Sequence, residues 1–267
     1  MRKLVYMMLC CFLSLYSIAQ TVNAEMEERY IFNFKMNPEV LAKHLPGSFL
    51  KPQIINNYSV VSFCILKLKH VVVAPLPAFM GYNTISCAYR IGVVDLSMKP
   101  ESNAVYIVER FTDRKTIASL APTLLSDEIP IAHTSIEENN GYVFITTTDK
   151  NGNIVFKARV QKSPIFKSAF FADTHDFEKF IKAGISSYTP SSREDQITRL
   201  DLIKKDNIYT PLEAEILVQN FGDFWSDALL EFDSALHTEG GKYTWKNKGR
   251  MKENADPDQQ EIVFGKH

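Results

Sequence analysis

The sequence predicts a mainly β protein with a few helices (α+β), its antiparallel sheet closed or strongly curled into a barrel. Three observations carry this reading. Aromatic residues make up 12% of the 267 residues, with 18 Phe and 11 Tyr against only 11 Gly, a loading that suits packed strands. Hairpin signals recur along the chain while strand-helix-strand alternation is sparse, which favours antiparallel pairing over a doubly wound fold. No Gly-rich or Ser-rich linker and no repeat period divides the chain, so one domain is expected over residues 25–246.

Taken in order, residues 1–24 read as an export signal. Arg2 and Lys3 give a positive start, 4–19 is an uncharged apolar run, and Ala24 (after Val22-Asn23) or Ala19 (after Ser17-Ile18) offers a small residue for cleavage. Cleavage after Ala24 is the preferred reading, with an uncleaved anchor as the alternative. The run falls short of the roughly 20 residues that span a bilayer. An exported protein, periplasmic or secreted, with no stable membrane span after signal removal follows.

Residues 29–36 alternate as a first strand, and Asn37-Pro38 caps a short helix over 38–45. Residues 58–73, 82–95 and 104–111 are strands separated by proline-containing or polar loops. A helix capped by Thr112 or Asp113 runs to Leu120 before Pro122. Strands at 129–137, 142–148 and 153–161 form a meander through the turns at Asn140-Gly141 and Asn151-Gly152. Asp173 or Thr174 caps a helix that presents Phe177, Phe180 and Ile181 on one face and stops at Gly184. Residues 191–206 are polar and partly helical in this reading. Strands follow at 213–220 and 228–234, and 247–267 is a polar, frayed tail.

Composition excludes several classes. With 30 Lys+Arg against 31 Asp+Glu the net charge is -1, so a basic nucleic-acid surface is not expected. No cofactor and no metal are expected: GxGxxG, GxxxxGK[ST], HExxH, GxSxG and CxxC are all missing. Two of the four cysteines, Cys10 and Cys11, leave with the signal. Cys64 and Cys87 lie on apolar strands, either bridged or as buried thiols.

The densest polar cluster is Glu109-Arg110-Phe111-Thr112-Asp113-Arg114-Lys115, at the end of the strand 104–111. Glu109 and Arg110 cannot both face inward, because neighbours on a strand point to opposite faces. Arg110 inward makes a fixed cation whose planar fork suits a carboxylate. The ligand-binding candidates are Arg110 and Arg29, with Tyr89 and Tyr106 as aromatic wall. The catalytic candidates are Glu109 and His133, an acid-base pair working near neutral pH. Lys115 is read as solvent-facing.

The order 30–36, NPEVLAKHLP, YNTISCAYRIGVV, VYIVERFTD and IPIAHTSIE, with FDSAL and GGKYTW later, resembles the acetoacetate decarboxylase-like superfamily over residues 28–246, and more closely its uncharacterised members. The resemblance implies a cone-like barrel with an apolar interior pocket. That enzyme forms a Schiff base on a lysine whose pKa an adjacent lysine depresses. Here Ile131 and Ala132 stand at the corresponding places, and the one adjacent lysine pair, Lys204-Lys205, lies elsewhere. The reading is a protein that binds a small apolar or carboxylate-bearing molecule in the barrel interior, its reaction undefined. A lyase or hydrolase using His133 and Glu109, or a non-catalytic interaction protein, is the alternative. Assembly stays open between monomer and homo-oligomer.

Overall fold

A computed structural model describes residues 21–124, 127–191, 195–204, 208–221, 225 and 230–253. In chain order the elements are β1 (Thr21–Met36), α1 (Pro38–Ala42), β2 (Leu50–Pro52), β3 (Ile54–Ile55), β4 (Tyr58–Val73), β5 (Tyr82–Asp95), β6 (Ser102–Thr112), α2 (Lys115–Leu124), β7 (Ala132–Asn139), β8 (Tyr142–Asp149), β9 (Ile154–Lys162), α3 (Thr174–Ala183), β10 (Ser186–Pro190), β11 (Gln196–Lys204), β12 (Thr210–Gln219), β13 (Glu231–Glu239) and β14 (Lys242–Lys252).

The long β1 organises the sheet by serving three partners. One edge pairs antiparallel with β4; the other pairs with β14 over residues 21–25 and then with β13 over residues 28–35. From β4 the pairing continues through β5, β6, β10 and β11 to β14, so seven strands close a ring. Within it only β6 and β10 run parallel. From β13 a second run passes through β12, β9 and β8 to β7 and curls back over the outside of the ring.

Alternation then sorts the side chains. On the outer face Phe32, Phe34, Phe63, Ile65, Tyr89 and Ile91 pack against Ile145, Phe156 and Ala158 of the second run, forming the main core. Its rings sit 4.8 Å apart for Phe32–Phe156 and 4.9 Å for Phe63–Tyr89, within the favourable range for aromatic pairs. The inner face carries Arg29, Cys64, Leu66, Ala88, Arg90 and Ile107. At one end α3 lays Phe177 and Ile181 against Ile31, Val60 and Cys64.

Bulges set which residues turn inward. A register shift between Met26 and Glu28 lets both Met26 and Arg29 face in. A second, where Tyr89 pairs with Glu109 but Arg90 with Ile107, leaves Val108 as an extra residue. That extra residue puts Ile107 and Arg110 on the same face.

Local signals explain the ends. The Asn37 side chain accepts from the amides of Glu39 (2.8 Å) and Val40 ahead of α1, and Asp173 accepts from Asp176 (2.8 Å) at the start of α3. Asn140 and Gly141 have φ of 52° and 80°, the type I′ geometry of a two-residue hairpin. At Gly184 φ is −86°, so its role is space: a Cβ there would meet Val105 Cγ2 at 3.0 Å.

Several expectations are corrected. Residues 196–204 form strand β11 rather than a partly helical stretch, because Ile197, Leu200 and Leu202 supply apolar contacts that the charged residues hide. Residues 242–252 form β14, so the tail expected from 247 is paired with β11 as far as Lys252. Pro122 lies inside α2, and α1 ends at Ala42. The expected boundary after Ala24 falls within β1. Residues 1–20 of the expected signal, 254–267 of the tail, Lys205 and positions 228–229 lie outside the described residues.

Candidate functional site

The ring interior holds a cavity of about 150 Å³. A space of that size takes a molecule of roughly benzene's bulk. Its walls are largely apolar: Val22, Leu66, Leu68, Val71, Ile107, Ile129, Leu202 and Trp245 among others. Three arginines join them, Arg29 on β1, Arg90 on β5 and Arg110 on β6, with no lysine among the described lining residues.

Arg29 and Arg90 converge on one atom. Arg29 Nη2 lies 3.8 Å and Arg90 Nη1 3.4 Å from Cys64 Sγ on the strand between them. Cys64 is fully buried, its far side packed on Ile31, Phe171, Phe177 and Tyr209. Burial pushes its thiol pKa up, but the two guanidinium charges outweigh this and hold it below the usual value. Cys87 shows the contrast: it faces the outer core, and burial raises its pKa to about 11. The two cysteines are free, since Cys87 pairs with Ile65 and Cys64 with Ala88, and their side chains point to opposite faces of the sheet.

Arg29 is only 2% exposed. Burial opposes its charge, yet Tyr243, Cys64 and Tyr209 around it hold the guanidinium protonated. Its Nε has no hydrogen-bond partner, and neither does the hydroxyl of Tyr243, another buried residue of the cavity wall. Unpaired polar groups in an apolar wall are costly, and each offers a ligand a donor.

Arg110 Nε lies 3.2 Å from Asp127 Oδ2, a charge contact without hydrogen-bond alignment, and its Nη2 has no partner. Burial lowers the Arg110 pKa and raises that of Asp127, which accepts a hydrogen bond from Thr189 at 3.2 Å. Asp127 meets Arg110 alone and does not line the cavity, so the three guanidiniums make the interior cationic.

The sequence candidates divide. Arg29 and Arg110 line the cavity together. Tyr89 and Tyr106 are buried in the core outside the ring, so neither forms cavity wall. Glu109 is exposed, in a separate groove of about 710 Å³ with Asp127, Glu128 and Pro190; burial of part of its carboxyl raises its pKa. His133 is exposed on β7, in the second run. The structure does not bring Glu109 and His133 together. Lys115 is exposed at the start of α2. Of the two positions where the resemblance puts lysines, Ile131 bridges to Thr112 beside β6 and Ala132 is buried; Ile129 nearby lines the cavity. Lys204, opposite Tyr243 in the β11–β14 pairing, is partly buried and donates from Nζ to the Tyr209 hydroxyl at 3.3 Å.

Arg90, Cys64, Tyr243 and Asp127 escaped the sequence reading. The YRIG segment held the signal for Arg90, the one cation of its strand and flanked by apolar residues. Among the described residues no three His, Cys, Asp or Glu side chains group as a metal site.

Compared with known proteins, the chain matches no family model and no curated protein sequence. Solved structures do match. An acetoacetate decarboxylase-like enzyme from Sphingomonas wittichii RW1 aligns with TM-score 0.55 at 11% identity, covering 85% of this chain and 91% of that one. Acetoacetate decarboxylase from Legionella pneumophila aligns with TM-score 0.57 at 11% identity, covering 85% and 86%. The enduracididine biosynthesis enzyme MppR complexed with pyruvate aligns with TM-score 0.55 at 8% identity, covering 86% and 88%. At these identities the likeness speaks for architecture: the chain has the acetoacetate decarboxylase-like fold.

Proposed function

We propose that the ring interior binds a small organic carboxylate without covalent attachment, in a protein that is exported. The observation that carries this reading is the set of three arginines in an apolar cavity, two of them with unpartnered nitrogens. A carboxylate accepts paired hydrogen bonds from a guanidinium, and an apolar body fills the rest of the space. The neighbour MppR, solved with pyruvate, supports a ligand of this class. An imine needs an amine at the ligand, and among the described residues the cavity wall has no lysine.

Cleavage after Ala19 suits export better than cleavage after Ala24, because Val22 and Ala24 are buried in the sheet and Val22 is cavity wall. Calorimetric titration with benzoate tests the binding. Arg29→Met and Arg90→Met are each expected to weaken it at least about tenfold, the value of one charge-assisted hydrogen bond. Unchanged affinity in both variants overturns the assignment. Borohydride reduction in the presence of pyruvate should leave the mass unchanged; an adduct on a lysine, Lys204 included, contradicts non-covalent binding.

A further inference from the structure

The unspent hydrogen-bond donors of the cavity wall sit at two places. At the seam of β1 and β14 they are Arg29 Nε and the Tyr243 hydroxyl; on β6 there is Arg110 Nη2. Other polar groups of the wall are taken up: Thr84 donates to Asp113 Oδ1 at 2.7 Å and Ser187 to the Leu200 carbonyl at 3.0 Å. The ring order sets the two places opposite each other. From β6 the path through β5 and β4 reaches β1 in three steps, and the path through β10 and β11 reaches β14 in three. Donors therefore face the hollow from both sides.

Charge follows the same division. Among the described residues no Asp or Glu lines the cavity, and Arg29 and Arg90 converge on the Cys64 sulfur rather than on a carboxylate. Asp127 meets Arg110 from outside the cavity, and Arg90 stands near enough to oppose the Arg110 charge. With Cys64 as a thiol, setting Asp127 against Arg110 leaves two positive charges around an apolar hollow. Like charges held in such surroundings are costly, and a single carboxylate balances only one of them.

We propose that the cavity takes a short dicarboxylate, with one carboxylate on Arg29, Arg90 and the Tyr243 hydroxyl and the other on Arg110. The proposal rests on the carboxylate reading above and narrows it to a dianion. A guanidinium receives each end through paired hydrogen bonds, and the apolar wall between the two places covers the methylenes. The cavity volume of about 150 Å³ limits the chain to about four carbons, a molecule of roughly benzene's bulk.

Calorimetric titration of the purified chain with succinate, monomethyl succinate and butyrate tests it, in buffer that ionises both succinate carboxyls. All three carry a four-carbon acid, and only succinate is charged at both ends. Succinate is expected to bind at least about tenfold more tightly than either of the others, the value of one charge-assisted hydrogen bond. The ester keeps a second acceptor without its charge, so it is expected to fall with butyrate. Arg110→Met/Asp127→Asn removes the far guanidinium without leaving a charged carboxylate unpaired, and is expected to abolish the preference for succinate over butyrate. A loss of packing alone would weaken both ligands and keep their ratio, and the comparison in the parent chain stands without the variant. Butyrate or the ester matching succinate in the parent, or a preference that survives the double variant, overturns the dicarboxylate assignment and leaves carboxylate binding in place. No binding of any of the three overturns both.

Discussion

The same four strands, β1, β4, β5 and β6, present two unlike faces. Outward, Phe32, Phe63 and Tyr89 interlock with Phe156 and Phe221, and the space is filled. Inward, Arg29, Arg90 and Arg110 surround a hollow, and Cys64 supplies the buried sulfur on which two of them converge. The outer face has the density that fixes a fold; the inner face leaves guanidinium nitrogens unsatisfied, which a folded chain keeps where a ligand satisfies them. Stability and recognition are thus divided between the two sides of one sheet.

The largest effect is expected on the filled side. Phe63→Ala removes a ring that is 1% exposed and should cost about 3–5 kcal/mol. At roughly 2–4 °C per kcal/mol for a chain of this size, the melting temperature falls by roughly 6–20 °C. Arg29→Met, across the sheet, should leave stability level or raised, because it removes a buried charge with an unpaired Nε. Scanning calorimetry of the two variants checks the pair; equal losses erase the division.

The cysteines sharpen the contrast through pH. Cys64 has a folded pKa below the ordinary 9.0, so its ionised form stabilises the fold. That contribution is complete above pH 9 and is lost as pH falls through the folded pKa. Cys87, raised to about 11, behaves oppositely: its contribution is complete below pH 9 and is lost as pH rises toward 11. Urea titrations between about pH 7 and 11 of Cys64→Ala and Cys87→Ala should show stability differences from the parent with opposite slopes. Thiolate absorbance that titrates in one step for both sulfurs contradicts this. The smallest effect lies outside both faces. Gly141→Ala, at φ 80° with open space around it, should cost only about 1–2 kcal/mol of backbone strain by urea titration.

Much of the architecture was legible because strand periodicity is a local signal. Residues 58–73 and 82–95 were read at the bounds of β4 and β5, and the Asn140-Gly141 turn was plain. Strands β10 and β11, which pair with each other, were missed because β10 is five residues of mostly polar character and the charges of β11 mask its alternation. The site was half legible. Arg110 inward and Glu109 outward follow from alternation, but carrying the same parity back places Tyr106 inward too. The extra residue at Val108 breaks that inference, and a bulge depends on register with β5, which no single strand displays. Cys64 and Arg90 needed the same knowledge, since their meeting is diagonal across paired strands.

Matched calorimetric titrations of benzoate and benzyl alcohol into the purified chain test the central claim most directly. The two probes share an aromatic body and differ in charge. A cationic hollow predicts that benzoate binds in a 1:1 complex at least about tenfold more tightly than the alcohol, with the preference lost in Arg29→Met. Equal affinity for the two, or a preference that survives Arg29→Met and Arg90→Met alike, contradicts it.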